Sequence, residues 1–407
     1  FYGGTAEQKT AAWERFTALA RAGKAASAWA VENGLAEAVM KMSFGNEIGF
    51  AAENTVLDWF APMPGAIVAE LSDEVSDAVR IGVTTAEKAI ALGADSASIE
   101  ELAALNDAVL EAVYPTKTRD SGTVESFSHE TKTRVAPAVK QARPKALIPV
   151  FPGTNCEYDS ARAWERAGAT AETIVVRNLT PTAVEETVEA LVNGIKRSQI
   201  IMLPGGFSGG DEPDGSGKFI AAMFRNPRIK EEVMALLQKR DGLMLGICNG
   251  FQALIKLGLV PYGEIRDLSE NSPTLTHNTI GRHASCMVDT RVISNLSPWF
   301  NNVKVGDVHT IAISHGEGRF VADAETVKRL QENGQIATQY VDAAGNPSLD
   351  IPFNPNGSVD AIEGITSPDG RVLGKMGHSE RIGEDVAKNV PGSKDQQLFE
   401  AGVRYYK

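Results

Sequence analysis

Gly242-Leu243-Met244-Leu245-Gly246-Ile247-Cys248-Asn249-Gly250-Phe251-Gln252-Ala253-Leu254-Ile255-Lys256-Leu257 is the stretch on which the fold turns. Residues 242–247 form an apolar run of strand length, and residues 249–257 carry apolar side chains at helical spacing. Between them stands Gly-Xaa-Cys-Xaa-Gly. This is a tight turn that presents one side chain between two residues small enough for neighbouring backbone to close in. A strand that passes directly into a helix is the building unit of a parallel sheet.

The same rhythm continues on the N-terminal side. Residues 146–151 read as a strand, followed by Pro152-Gly153-Thr154-Asn155 and a helix over 157–167. A strand over 172–177 precedes a helix that starts at Pro181 and ends near 194. Residues 199–203 form a strand running into Pro204-Gly205-Gly206, and 217–240 are helical. The alternation predicts an α/β fold of the doubly wound, mostly parallel kind, with ligands at the carboxyl ends of the strands. Beyond 260 the pattern turns to β, at 283–292, 309–320 and 359–376, with a tight turn at Asp369-Gly370. At the other end, residues 5–43 predict two amphipathic helices, with Trp13, Phe16, Leu19 and Ala20, then Leu35, Val39 and Met40, at helical spacing. Short strands follow at 49–53, 66–71 and 78–84, and a helix at 95–114. Residues 115–145 are polar and show neither period. The expected organisation is a smaller α+β domain over 1–115, a linker over 116–145 and the α/β domain over 146–407.

Composition narrows the function classes. The chain has 407 residues and a net charge of −12, from 40 basic and 52 acidic side chains. An acidic balance argues against nucleic acid or a membrane surface as the partner. No apolar run approaches the roughly 18 residues that cross a bilayer. Three cysteines in 407 residues cannot make a disulfide scaffold and fit a reducing compartment, so the cytoplasm is expected. The sequence opens Phe-Tyr-Gly-Gly-Thr without a methionine, which reads as the later part of a longer polypeptide.

Cys248 is the first candidate for chemistry. A thiol at a helix N-terminus is biased toward thiolate. Such a nucleophile needs a base, and the base an acid to orient it. Gly377-His378-Ser379-Glu380 follows the strand-like 372–376, and on an extended segment His378 and Glu380 share a face. Taken alone, a His-Xaa-Glu pair is a surface pair; its weight comes from joining Cys248. Leu203-Pro204-Gly205-Gly206-Phe207-Ser208 ends a buried strand in two glycines whose N–H groups can face a developing oxyanion. Other patterns carry less. Gly217-Lys218 suggests a phosphate loop, but Glu212 stands where its first Gly belongs and Phe219 where its Ser/Thr belongs. The spacing of His277, His283 and Cys286 fits no standard zinc pattern, so no metal is expected. Cys156 lacks glycine flanks, which favours a structural or loop role.

Together these pieces resemble the class I, triad-type glutamine amidotransferases. The likeness is closest to the glutaminase domain of the phosphoribosylformylglycinamidine synthase family. It rests on Val150-Phe151-Pro152-Gly153-Thr154-Asn155-Cys156-Glu157, the Pro-Gly-Gly-Phe-Ser run with Gly210-Asp211, the elbow through Gln252, and Ser314-His315-Gly316-Glu317-Gly318-Arg319-Phe320. It spans about 146–407. The resemblance implies a flavodoxin-like sheet, Cys248 as nucleophile on the glutamine amide, His378 as base and Glu380 as its orienter. It implies an oxyanion hole at the N–H groups of Gly206 and Asn249. Gln252, Ser314 and His315 fall at substrate-binding positions. His315 is thereby the rival base; the glutamate two residues after His378 favours His378. Residues 1–115 look like an aminoimidazole-ribonucleotide-synthetase-type C-terminal domain, although Trp29-Ala30 stands where that family has His-Asp. A second departure is Met376-Gly377-His378-Ser379-Glu380 in place of Met-Pro-His-Pro-Glu. The implied partners are glutamine and an ammonia-accepting site in an upstream synthetase portion. ATP and magnesium are expected for the whole synthase, and no cofactor for this part.

Overall fold

The computed structural model describes residues 1–407 apart from 55–56, 77, 114, 116, 119 and 209–216. Gly210, Asp211 and Glu212, which belong to the sequence motifs above, lie outside the described residues. Contacts divide the chain into two units, Phe1–Pro115 and Thr116–Lys407.

The first unit contains helices α1 (Ala6–Arg21), α2 (Leu35–Phe44) and α3 (Ile99–Glu111). Strands β1 (Ala25–Val31) and β3 (Ala66–Leu71) pair antiparallel. Strands β2 (Gly49–Ala52), β4 (Gly82–Thr85), β5 (Ala89–Leu92) and β6 (Asp95–Ser98) form a sheet in the order β4-β2-β5-β6. Val31, Leu35, Val39, Phe50, Trp59, Ile90 and Ile99 make its core. Two expectations fail here. The region read as two helices contains β1 between them, and the helix read from 95 starts at Ile99 behind β6. Ala25–Val31 is Ala-rich and shows no alternation, so only pairing with β3 makes it a strand. Trp13 is 44% exposed, because its indole lies outside that core and donates from Nε1 to the Gly65 carbonyl at 2.7 Å.

The second unit is built on a nine-stranded sheet. Its elements are β7 (Lys145–Val150), α4 (Glu157–Ala167), β8 (Thr170–Val175), α5 (Pro181–Arg197), β9 (Ile200–Leu203), α6 (Lys218–Phe224), α7 (Pro227–Lys239), β10 (Leu243–Ile247), α8 (Asn249–Leu257), a kinked α9 (Leu259–Tyr262), β11 (Thr274–Thr276), β12 (Ala284–Val292), β13 (Val308–His315), β14 (Arg319–Val321), α10 (Ala324–Glu332), β15 (Ile336–Val341), β16 (Ile362–Thr366), β17 (Val372–Lys375) and α11 (Leu398–Tyr405). The sheet order is β13-β12-β15-β16-β17-β10-β9-β7-β8. From β8 to β17 neighbours run parallel. From β17 to β13 they alternate in direction. The parallel half has the doubly wound order in which the chain reverses direction across the sheet between β7 and β9, and sites form at such a reversal. β7, β9 and β10 are apolar and lie under helices, which is why their sequences read as short continuous runs. Locally, Gly258 ends α8 in the left-handed region at φ 81°, and Thr180 caps α5 by accepting from the Ala183 N–H.

The described residues of the segment 116–145, expected as a linker, are held on the second unit. Phe127 is 4% exposed within the main core, and its N–H donates to Gln339 Oε1. His129 bridges to Ser294, and the Gln141 N–H donates to the Tyr406 carbonyl. The segment is polar because much of its backbone is satisfied by distant partners and scattered side chains, Phe127 with Val124 and Val135, anchor it, a pattern with no local period. Among the described residues no helix is long and apolar enough to cross a membrane.

Candidate active site

Cys248 stands between the end of β10 and the start of α8 with φ 52° and ψ −106°, a left-handed backbone strained for a side chain. Two glycines allow it. A Cβ on Gly246 would lie 2.7 Å from the Gly250 carbonyl oxygen, and one on Gly250 would lie 1.9 Å from that of Leu203. The turn is also pinned from the other side, because the Cys248 N–H donates to the Lys375 carbonyl at 2.8 Å. The thiol is 4% exposed and points at the Ser314 carbonyl, with Sγ to O at 3.6 Å.

His378 follows β17, the parallel neighbour of β10, and so emerges beside Cys248. Its Nδ1 lies 2.6 Å from Glu380 Oε1, and both side chains are buried. Nδ1 is thereby occupied, and Nε2 is buried without a partner among the described residues, the arrangement a base needs. Burial pushes the imidazole toward its neutral form. The Glu380 charge and the contacts with Cys156, Cys248 and Glu380 outweigh it, so its pKa stands well above the usual histidine value. Glu380 is the converse case. Burial pushes its carboxyl up, but His378 and the backbone bonds hold it below the ordinary carboxylate value.

β13 lies at the far edge of the sheet and still reaches this site. The His378 N–H donates to the Ala312 carbonyl at 2.8 Å. Ser314 offers its carbonyl to Cys248 and its hydroxyl to His283 Nε2 at 3.0 Å. His315 is buried with both ring nitrogens unpartnered among the described residues, its pKa lowered to about 3 by burial first and then by the charges of His378 and His283. Gln252 donates from Nε2 to the Glu317 carbonyl at 2.6 Å and accepts from Asn249 Nδ2 at 2.9 Å. Its amide thus ties α8 to the loop after β13.

Gly206 follows β9. A Cβ there would lie 2.6 Å from the Gly153 carbonyl oxygen, so only glycine fits. The bridge between Thr154 and Gly206 is closed by the N–H groups of Asn155 and Phe207, which leaves the Gly206 N–H outside it. Asn249 is the first residue of α8, where a backbone N–H has no carbonyl one turn back. Both N–H groups are therefore left outside the local backbone pairing.

Cys156 is where sequence reasoning falls short. It is fully buried at the start of α4, after β7, with Sγ 3.8 Å from His378 Nδ1. Arg381 Nη2 donates to that sulfur at 3.0 Å. Neither residue carries a local signature; the adjacency of Arg381 to Glu380 is the one hint. Among the described residues the one group of three metal-capable side chains within 4.8 Å is Cys156, His378 and Glu380. Glu380 already holds Nδ1 and Arg381 sets a cation on Cys156, so the cluster suits proton transfer better than a metal. His277, His283 and Cys286 are not brought together. His277 Nε2 lies 3.6 Å from Glu317 Oε1, His283 takes Ser314, and Cys286 sits exposed opposite Ile313 in a β-ladder. Gly217-Lys218 does not suit a nucleotide, since Phe219 packs edge-on against Phe151 at 5.5 Å where a magnesium-binding hydroxyl belongs.

A cysteine elbow at the carboxyl end of a parallel strand, with an imidazole–carboxylate pair on the next parallel strand, defines a thiol-dependent amidotransferase site. Residues 143–406 match the CobB/CobQ-like glutamine amidotransferase domain, and the chain belongs to that family. Its relatives include the phosphoribosylformylglycinamidine synthase subunit PurQ of Methanococcus maripaludis strain S2. The two are 35% identical over 284 residues, covering 65% of this chain and 97% of the relative. The corresponding subunit of Synechococcus sp. strain JA-3-3Ab is 36% identical over 260 residues, covering 63% and 95%. A chain in the structure of PurLQS from Thermotoga maritima is 27% identical with a TM-score of 0.47, covering 65% of this chain and all of that one.

Proposed function

We propose that this chain is the glutamine-hydrolysing part of a phosphoribosylformylglycinamidine synthase, a glutamine-dependent ligase of purine biosynthesis. The observation that carries the reading is the meeting of Cys248, strained at its elbow, with the buried His378–Glu380 pair. The Cys248 thiolate attacks the side-chain amide carbon of glutamine. The N–H groups of Gly206 and Asn249 receive the oxyanion. His378, protonated and held by Glu380, gives its proton to the departing nitrogen, which leaves as ammonia. Water then attacks the thioester with His378 as base, releasing glutamate and the thiol. Ser314, His315 and Gln252 shape the glutamine pocket. In this reading ammonia passes to an acceptor site in the synthetase portion, where ATP and magnesium serve. No step in residues 143–406 is assigned to either. The first unit is read as a neighbouring domain of aminoimidazole-ribonucleotide-synthetase type. A cytoplasmic setting suits three free cysteines.

The test is glutamate and ammonia release from glutamine, beside a panel of peptides. Glutamine turnover that Cys248→Ala abolishes is expected, with a rise when the synthetase portion is added. Peptide cleavage in its place would identify a cysteine peptidase on the same elbow.

A further inference from the structure

Two fully buried charges lie directly behind the base, and the chemistry above does not use them. Lys375, the last residue of β17, has its Nζ 3.3 Å from Glu363 Oε1 on β16, with both side chains 0% exposed. Burying such a pair is no better for stability than an apolar pair of the same volume. Something other than sheet cohesion needs to explain it.

The hydrogen bonds supply the explanation. Lys375 Nζ donates to the Gly377 carbonyl at 2.9 Å and to Ser379 Oγ at 3.0 Å. Glu363 Oε1 accepts from the Gly377 N–H at 2.6 Å, and its other oxygen accepts from Thr338 Oγ1. Ser379 Oγ donates onward to Gln396 Oε1 at 2.6 Å, and Gln396 Nε2 to Thr290 Oγ1 at 3.2 Å. Both neighbours of His378 are therefore gripped by side chains from the sheet. Neither neighbour is a residue whose own backbone is locked. A Cβ at 377 would lie 2.4 Å from Ile311 Cδ1, so a larger residue there would need that side chain to shift, and a proline would lack the N–H that Glu363 accepts. The carbonyl of the same Lys375 accepts from the Cys248 N–H at 2.8 Å. One residue thus holds the nucleophile's turn by its backbone and the base's loop by its side chain.

We propose that Lys375 and Glu363 are positioning residues that set His378 and Glu380 in register with Cys248, an inference that rests on the proposed glutaminase reading. An apolar pair would hold β16 to β17 equally well. Only the charged pair directs several bonds at once into the loop over 377–379, and small displacements of a base cost turnover steeply.

The experiment uses the whole chain and compares Lys375→Met/Glu363→Gln, Ser379→Ala and Cys248→Ala with the parent. The double substitution removes both charges together and keeps an acceptor for the Gly377 N–H. Its kcat for glutamine hydrolysis is expected to fall at least tenfold, with KM within about twofold and the melting temperature unchanged. The alkaline limb of its pH–rate profile should move to lower pH as Glu380 loses its seat on His378. Ser379→Ala, which loses one grip, should lower kcat several-fold and serves if the double variant fails to fold. Normal kcat in a stable double variant or in Ser379→Ala overturns the inference. So does a loss that merely follows the melting temperature with an unmoved pH profile. The two readings separate at Cys248→Ala. If the parent does not hydrolyse glutamine, or Cys248→Ala hydrolyses it as fast as the parent, the reading of this site as a Cys248 glutaminase falls; if Cys248→Ala is inactive while the clamp variants turn over normally, only the positioning role does.

Discussion

Replacing Glu380 by Gln tests the electrostatics of the site most directly. The carboxylate and imidazole are 2.6 Å apart and shielded from solvent, so no screening discount applies. Opposite charges centred about 4 Å apart contribute about 4 kcal/mol at an effective dielectric of about 20. That attraction favours the protonated imidazole and holds the His378 pKa well above the usual histidine value. Removing the charge leaves burial, which opposes protonation, without its main counterweight. The sign follows. A base whose folded pKa is raised keeps its proton to high pH, and the variant loses it earlier. The alkaline limb of kcat against pH should therefore shift to lower pH. An amide also donates to Nδ1 and so leaves the proton on Nε2, the wrong tautomer for accepting from the thiol. Such a swap costs about 10⁴ in kcat for a hydroxyl nucleophile. A thiol depends less on its base, so about 10²–10³ is expected. His378→Ala should cost more. Steady-state ammonia release from pH 5 to 10, with the histidine titrated by NMR in a Cys248→Ala background, provides the assay. A lowered kcat with an unmoved alkaline limb, or an unchanged His378 titration, would refute the reasoning.

Three further outcomes are expected. A glutamine-mimicking electrophile should leave one adduct, located at Cys248 by peptide mass mapping; labelling at Cys156 or Cys286 would reassign the nucleophile. Gly250→Ala drives a Cβ to 1.9 Å from the Leu203 carbonyl and should destabilise the second unit by about 3 kcal/mol with loss of turnover, read by denaturant titration; an unchanged midpoint would deny the contact. His315 binds its proton at about 3 when folded against an ordinary histidine value of 6.5, so the unfolded chain holds the extra proton and stability drops as pH falls between those values. The loss amounts to about 3 kcal/mol at pH 4, and His315→Gln should flatten the difference between unfolding midpoints at pH 7 and pH 4; equal slopes would show that His315 is not neutral in the folded protein.

Cys248 was legible because everything that makes it special is contiguous: an apolar strand, a turn between Gly246 and Gly250, and an apolar helix. His378 and Glu380 were legible as a pair two residues apart, once a nucleophile in search of a base was in hand, but they meet through a turn in which the Arg381 N–H donates to the His378 carbonyl, not on the extended face the spacing suggested. The parallel half of the sheet followed from short apolar runs alternating with helical periods. These features depend on neighbours in the chain, and local patterns report them. Tertiary structure decided the rest. Ala25–Val31 is a strand only because β3 lies beside it. Residues 116–145 lie on the second unit because Phe127 finds a pocket and distant groups satisfy the backbone. Cys156 and Arg381 meet at His378 because β7 and β17 deliver their loops to the same end of one sheet. Lys375 and Glu363 pair because β16 and β17 are neighbours, which no spacing in the sequence announces. The protonation of His315 and His378 was out of reach as well, since the ionisation of a buried group is set by burial and by charges that arrive from other strands.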